Sequence, residues 1–502
     1  MSKFKKKVRT SSVFAFSGRI VEQLASMIFT WLLIKELNHA EFGLYNLFLG
    51  LIAYLSISSS FGIIPAVKRF LPEFYQKRQA KSFFWIFKTG LFVRGILSII
   101  SIGIIAIFYR WIGPFLHIET YFSYYILFGI GVFFLLQARL FQRVLEALFF
   151  HKYIVFGSVI YSLTRVLLLS TVFLMGYGLK MVFAVDIVSY FVLFSVYLLF
   201  FKTKGFPELK KVNKEDSFSR KDLSKRLLRY SGFSSLNDLG KNFLDISTGF
   251  FVISHFLGPV ALSYFAFSVR LGKMISRWLP SRMMRSVISP TFFARYGKSG
   301  DKRELSNMFN VLLKVNAFII FPIFTLVGIL GKEIIQFVFD IKYITAYPVL
   351  LILLIHFSMA SFPVGLPLKT VEKPEILLIG KISSVYNLLM SIFLIQIWGI
   401  VGVALATTSA IIIKKLFEYH MSKKYAGIQI AWIGLGKIVI NCLMMGIFTY
   451  WIHPFASSLP KLLMVLTLSM VLYFIFSLFN KSFMEKERFM INKLIGKKVF
   501  VF

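Results

Sequence analysis

Apolar runs of about 20 residues, the length a helix needs to cross the hydrocarbon core, follow one another along this chain as far as residue 480. Nothing else in the sequence constrains the fold as strongly. Backbone amides in lipid must find partners within the protein, which leaves only helices or closed barrels. A barrel would show short alternating segments, whereas these runs are continuous. With 57% hydrophobic residues and a mean hydropathy of +0.74, the chain is expected to be an all-α polytopic membrane protein. At about 20 residues per crossing, about 14 transmembrane helices are predicted. The first six cover 13–35, 43–67, 84–109, 122–147, 153–176 and 181–201. The next six cover 230–255, 261–288, 309–331, 345–369, 377–397 and 400–420, and two more follow at 430–452 and 461–480. The basic opening MSKFKKKVRT leads into a stretch too long for a signal peptide and lacking a small-residue cleavage site, so it reads as a retained first helix.

The net charge of +36 suggests nucleic acid only until the cations are located. They cluster between the apolar runs, at 68–81, 201–229, 294–303, 414–424 and from Lys481 onward. With the N-terminus inside, inner segments hold roughly 37 Lys and Arg against about six outside. The expectation is an N-in, C-in protein of a cytoplasmic membrane that binds no nucleic acid. Outer loops are short, the longest being Tyr109–Tyr121 and Gly331–Ala346, which disfavours an enzyme with acidic catalytic residues at the outer surface. No P-loop, nucleophile elbow or Cys/His metal motif occurs, so no catalytic residue, metal or cofactor is expected. The single cysteine, Cys442, allows no internal disulfide. His255 and His356 read as packing or interface residues.

The chain also repeats itself. Ser17-Gly18, a long apolar stretch and Phe42-Gly43-Leu44-Tyr45 match Ser231-Gly232, a similar stretch and Leu257-Gly258-Pro259, with Tyr264 following as Tyr45 does. Lys152-Tyr153 leading to Gly176-Tyr177-Gly178 matches Lys373-Pro374 leading to Gly399-Ile400-Val401-Gly402. Six spans thus duplicate six spans in the same orientation, a parallel repeat whose site is expected between the halves near the midplane. The predicted organisation is a six-helix lobe at 1–201, a basic cytoplasmic linker at 202–229, and a second six-helix lobe at 230–425. Two extra helices at 426–480 and a basic tail at 481–502 complete the chain.

The opening SGRIVEQLASMIFTWLLIKELNHAEFGLYNLF and FGIIPAVKRFLPEF resemble the oligosaccharide flippases of the multidrug/oligosaccharidyl-lipid/polysaccharide exporter superfamily. GKEIIQFVFDIKYITAYPVLLIL at 331–353 and GIVGVALATTSA at 399–410 are similar to later segments of that family, and the resemblance covers nearly the whole chain. It implies two six-helix lobes around a central cavity that opens alternately inward and outward. It also implies translocation of a polyprenyl-pyrophosphate-linked glycan to the outer leaflet. Membrane lipids and other polysaccharide-assembly proteins would be the further partners. The alternatives are a cation-coupled multidrug exporter of the same superfamily, a membrane glycosyltransferase, and a non-transporting scaffold.

Charged residues inside the spans are the candidate site, because a charge at a helix centre costs about 2.5–3.5 kcal/mol on insertion scales. Arg270, Lys273, Arg277 and Arg285 fall within an arc of about 120° on one predicted helix, and guanidinium forks suit phosphate oxygens. Arg19, Arg94 and Arg165 are the corresponding first-half candidates for substrate contact. Arg139, Arg143 and Glu146 share a face of the fourth span. Glu22, Asp238 and Asp245 are candidates for ion or proton coupling. Asp238 and Asp245 are equally placed to pair with Arg277 and Arg270, which would make those cations structural. Pro65, Pro280, Pro322, Pro348, Pro363 and Pro367 are candidate hinges.

Overall fold

The computed structural model describes residues 2–77, 79–211, 223–228, 231–232, 246–279, 288, 292–293, 295–297, 299–495 and 500–502. Of residues 2–17, 76, 211, 374 and 493–495 only the backbone is described. All regular structure among these residues is helical. The first half contains α1 (Ser2–Glu36), α2 (His39–Ser58), α3 (Ile63–Gln76), α4 (Ala80–Ile107), α5 (Tyr109–Leu116), α6 (Phe122–Ala147), α7 (His151–Leu174), α8 (Leu179–Phe200) and α9 (Phe206–Lys211). The chain continues through α10 (Ser247–Arg277), α11 (Lys302–Ile334), α12 (Tyr347–Ser361), α13 (Leu366–Thr370) and α14 (Pro374–Ile379). The last helices are α15 (Ser383–Ala426), α16 (Trp432–Ile452), α17 (Leu459–Asn480) and α18 (Glu485–Ile495).

Eleven helical stretches among the described residues are long and apolar enough to cross a membrane, against the fourteen read from the sequence. The difference has three local origins. The stretch that carries α1 is not one of the eleven. α10 and α15 each run on where the sequence places a loop between two spans, and each is broken only at a glycine, Gly258 (φ 76, ψ 179) and Gly399 (φ 56, ψ −136). Other boundaries shift for visible reasons. The predicted span 43–67 ends early, because the chain turns at Ser59–Gly62 and restarts as α3 with Pro65 in its first turn. Pro348 and Pro367 also open helices, where a missing N–H costs nothing. Pro322 lies inside α11, and Pro280 is outside the described residues. The loop expected at Tyr109–Tyr121 is itself mostly α5 and a 3₁₀ turn.

The fold divides into two compact units, Met1–Ser263 and Tyr264–Phe502. In the first, α6 packs along α8 and α4, and α7 packs between α1 and α8. Phe48, Phe128 and Phe183 form its aromatic centre, with Phe48 stacked on Phe128 at 5.3 Å. α2 begins at a capping box in which Asn38 and Glu41 satisfy each other's backbone amides. The first part of α10 belongs to this unit. Tyr54 bonds Thr248, His117 bonds the Ser254 carbonyl, and Gly43 lies so close to the Pro259 carbonyl that no side chain fits between them. In the second unit α12 packs on α15, while α16 and α17 pack on α11 around Leu330, Ile438, Met445, Leu462 and Tyr473.

Candidate functional site

The cationic row on α10 survives only in part within the described residues. Arg270, Lys273 and Arg277 are there, whereas Arg285, Asp238 and Asp245 lie outside them. The helix has a fixed inner face. Phe267 stacks on Tyr343 with ring centroids 4.7 Å apart, Ser268 donates to the Ala346 carbonyl at 3.2 Å, and Gly272 abuts the ring of Phe357. Arg270 and Lys273 are half-buried and Arg277 is exposed, on a stripe turned away from that face. Helical periodicity therefore separates a packed side from a cationic side on one element.

Arg165 has a different setting. Its Nε donates to Asp186 Oδ1 at 2.7 Å, and one terminal nitrogen donates to the Tyr45 hydroxyl, also at 2.7 Å. Tyr45 in turn donates to Asp186 Oδ2 at 2.8 Å. The guanidinium lies 3.7 Å over the ring of Phe29. This closed network ties α1, α2, α7 and α8 together, and its charge is neutralised locally. Asp186 was missed in the sequence, although a lone acid in the apolar run 181–200 is as costly as the arginine it meets.

Arg19 is exposed on α1 and Glu22 half-buried one turn later. Arg94, at the middle of α4, is fully buried. It lines a cavity of about 220 Å³ together with Arg139 and Arg143 from α6 and with Ser56 and Ser60 from the end of α2 and the turn after it. None of the three Arg94 guanidinium nitrogens has a hydrogen-bond partner among the described residues. Arg139 donates to Ser56 Oγ at 3.4 Å, and Arg143 to Glu146 at 2.6 Å. Of the first-half candidates, then, the fold joins Arg94 to Arg139 and Arg143, and joins Arg165 to Asp186. No group of three or more His, Cys, Asp or Glu able to hold a metal occurs among the described residues.

A family model described as polysaccharide biosynthesis protein matches residues 8–295. The chain is 22% identical over 229 residues to the probable low-salt glycan biosynthesis flippase Agl15 of Haloferax volcanii, a match covering 44% of this chain and 47% of that protein. It therefore spans about half the length of that relative. It is 23% identical over 452 residues to the uncharacterized membrane protein MJ1068 of Methanocaldococcus jannaschii, covering 83% of each. Among solved structures, the lipid II flippase MurJ in an inward closed conformation matches with a TM-score of 0.72 at 16% identity, over 94% of this chain and 99% of that one. An inward-facing multidrug resistance MATE family transporter of the MOP superfamily matches with a TM-score of 0.66 at 13% identity, over 81% and 94%. At such identities the solved structures establish the fold, which is the one these transporters share.

Proposed function

This chain belongs to the polysaccharide biosynthesis protein family, and from that premise we propose that it flips a polyprenyl-pyrophosphate-linked oligosaccharide across the cytoplasmic membrane by alternating access. The cargo would serve cell-surface polysaccharide assembly, and both termini would be cytoplasmic. The observation that carries this reading is the row of Arg270, Lys273 and Arg277 along one stripe of α10, opposite the stripe that carries Phe267, Ser268 and Gly272. Cations in an apolar helix are retained where they meet water, a counter-charge or an anionic ligand. A pyrophosphate crossing a low-dielectric region needs such ligands, and guanidinium binds its oxygens in pairs. Glu22, Asp238 and Asp245 are the proposed coupling residues, and Arg19 a further contact to the cargo.

The second reading, a multidrug exporter, draws on the likeness to the multidrug transporter fold. Such a protein would carry cationic amphiphiles and be better served by acids than by a cationic row. The test is export of lipid-linked glycan from cells whose own flippase is deleted. The Lys273→Ala, Arg277→Ala double variant should insert normally yet abolish export. Full export by that variant would end the assignment of this helix to the pyrophosphate. Drug efflux without glycan export by the unaltered chain would end the flippase reading itself.

A further inference from the structure

We propose that the cavity between α4, α6 and the turn after α2 is a binding site for a phosphate or pyrophosphate group, held by Arg94, Arg139 and Arg143 with Ser56 and Ser60. It is built entirely within the N-terminal unit and uses none of the α10 cations.

Charge is the first argument. Arg94 is fully buried, and all three of its guanidinium nitrogens are without a partner among the described residues. Two further guanidiniums line the same space, so like charges are gathered where a low dielectric makes their repulsion strong. Among the described residues one carboxylate pairs with them, Glu146, which Arg143 holds at 2.6 Å. Three cations less one acid leave a net charge of two. A pyrophosphate diester carries two negative charges, and a phosphate monoester carries about 1.5 to 2 at neutral pH.

Polarity is the second argument. Ser56 Oγ already accepts from Arg139, and Ser60 Oγ accepts from the backbone N–H of Ile64 at 3.3 Å. Each hydroxyl therefore uses its oxygen within the protein and keeps its proton to donate. The side chains that line it present three guanidiniums and two hydroxyls, a donor set that suits an oxyanion and repels a metal ion or an amine.

Size is the third argument. At about 220 Å³ the cavity falls below the roughly 300–1,000 Å³ of pockets that enclose drug-sized ligands. It takes a phosphate or pyrophosphate group and leaves the sugars outside.

The inference rests on the flippase reading only for the source of the group, either the carrier lipid's pyrophosphate or a soluble phosphate compound. The full-length protein in lipid nanodiscs, at fixed ionic strength and without magnesium, is titrated with inorganic pyrophosphate and, separately, with polyprenyl pyrophosphate. Binding of either should weaken at least tenfold in Arg94→Gln and in Arg139→Gln. Binding of the lipid alone assigns the site to the carrier, and equal binding of inorganic pyrophosphate assigns it to a soluble compound. In phosphate-free buffer Arg94→Gln should melt no lower than the unaltered protein, because it removes an uncompensated charge. Arg143→Gln, partly exposed with a side-chain accessibility of 35%, provides a third variant where the deeper ones do not insert, with the same loss expected. Undiminished affinity in these variants, or no binding of either probe to the unaltered protein, overturns the proposal. So does a lower phosphate-free melting temperature in Arg94→Gln with unchanged affinity, the signature of a packing role. Export in the Lys273, Arg277 variant is scored separately, so the flippase reading and this site can fail independently.

Discussion

Arg165 and Arg94 occupy equivalent settings in the sequence, each near the middle of an apolar helix, and the fold treats them oppositely. Arg165 is neutralised by Asp186 and Tyr45, whereas Arg94 faces two more arginines across a cavity. No spacing rule separates the two, because the partners lie on other helices and are chosen by tertiary packing. The consequence for Arg165 is testable. Asp186→Asn leaves a buried guanidinium unpaired and should destabilise the protein by about 3–5 kcal/mol. Adding Arg165→Met should recover most of that loss, as read by thermal unfolding in detergent. A double variant as unstable as the single one would contradict an ion-pair origin. At the surface, Glu73 accepts from Lys77 at 2.9 Å and from Arg226 at 3.1 Å. The Lys77 bond is the larger influence, and with Arg226 it outweighs partial burial to hold the Glu73 pKa below its ordinary 4.5. A lowered carboxylate pKa stabilises the folded state above the unfolded value, and that contribution fades as pH falls below 4.5 through the native value. Hydrogen-exchange protection factors of residues 223–228 should therefore fall below pH 4.5 and no longer do so in Glu73→Gln. Because Lys77 and Arg226 are about half exposed, high salt should shrink the effect.

Elements were readable from the sequence wherever an apolar run ended at a turn residue, and where two runs meet at one glycine the helix is broken at that residue alone. Gly258 sits at φ 76 and ψ 179, a region open essentially to glycine alone, and a Cβ added there would meet nothing within 4 Å. Gly258→Ala should thus cost about 1–3 kcal/mol through backbone strain alone. Gly258→Asn should cost as much, since this is not the left-handed helical region that asparagine tolerates. A neutral alanine variant in thermal unfolding would refute the strain. The repeat motif that Gly258 belongs to was visible in the sequence, and its two copies touch, with Gly43 lying against Pro259. The role of α18 was not visible. Its Glu487 accepts from Lys314 at 2.8 Å, where Lys314 is 1% exposed on α11, and also from the backbone of Met484. A cation buried in one helix and an acid 173 residues later share no local pattern. Truncation after Asn480 should lower the melting temperature, and Lys314→Met in the truncated protein should restore part of it. Equal melting temperatures before and after truncation would show that α18 holds nothing in place.

At the scale of the whole molecule, hydropathy and loop charge act through different physics and predict different things. Hydropathy sets which segments dissolve in lipid, and it led correctly to an all-helical membrane fold of the kind shared by the MurJ and MATE structures. Hydropathy alone does not say whether the chain reverses at a single glycine, so the number of crossings within Ser247–Arg277 and Ser383–Ala426 turns on Gly258 and Gly399. Loop charge sets direction, because Lys and Arg beside a span resist translocation. If Gly258 and Gly399 each reverse the chain, and α1 crosses, every basic segment falls on one side. If either helix instead runs straight through its glycine, the segments beyond it change sides and the charge bias breaks. Reporter fusions can decide between these. Fusions after Gln76, Asn213, Lys298 and Lys486 should all report the cytoplasm, and one after His117 the outer face. A cytoplasmic signal at Asn213 with an outer signal at Lys298 would mean that α10 crosses once and would overturn the paired arrangement. Agreement at Lys298 with an outer signal at Lys486 would place the error in α11 or α12, at Gly399 or in the last two helices, since each crossing inverts everything downstream of it.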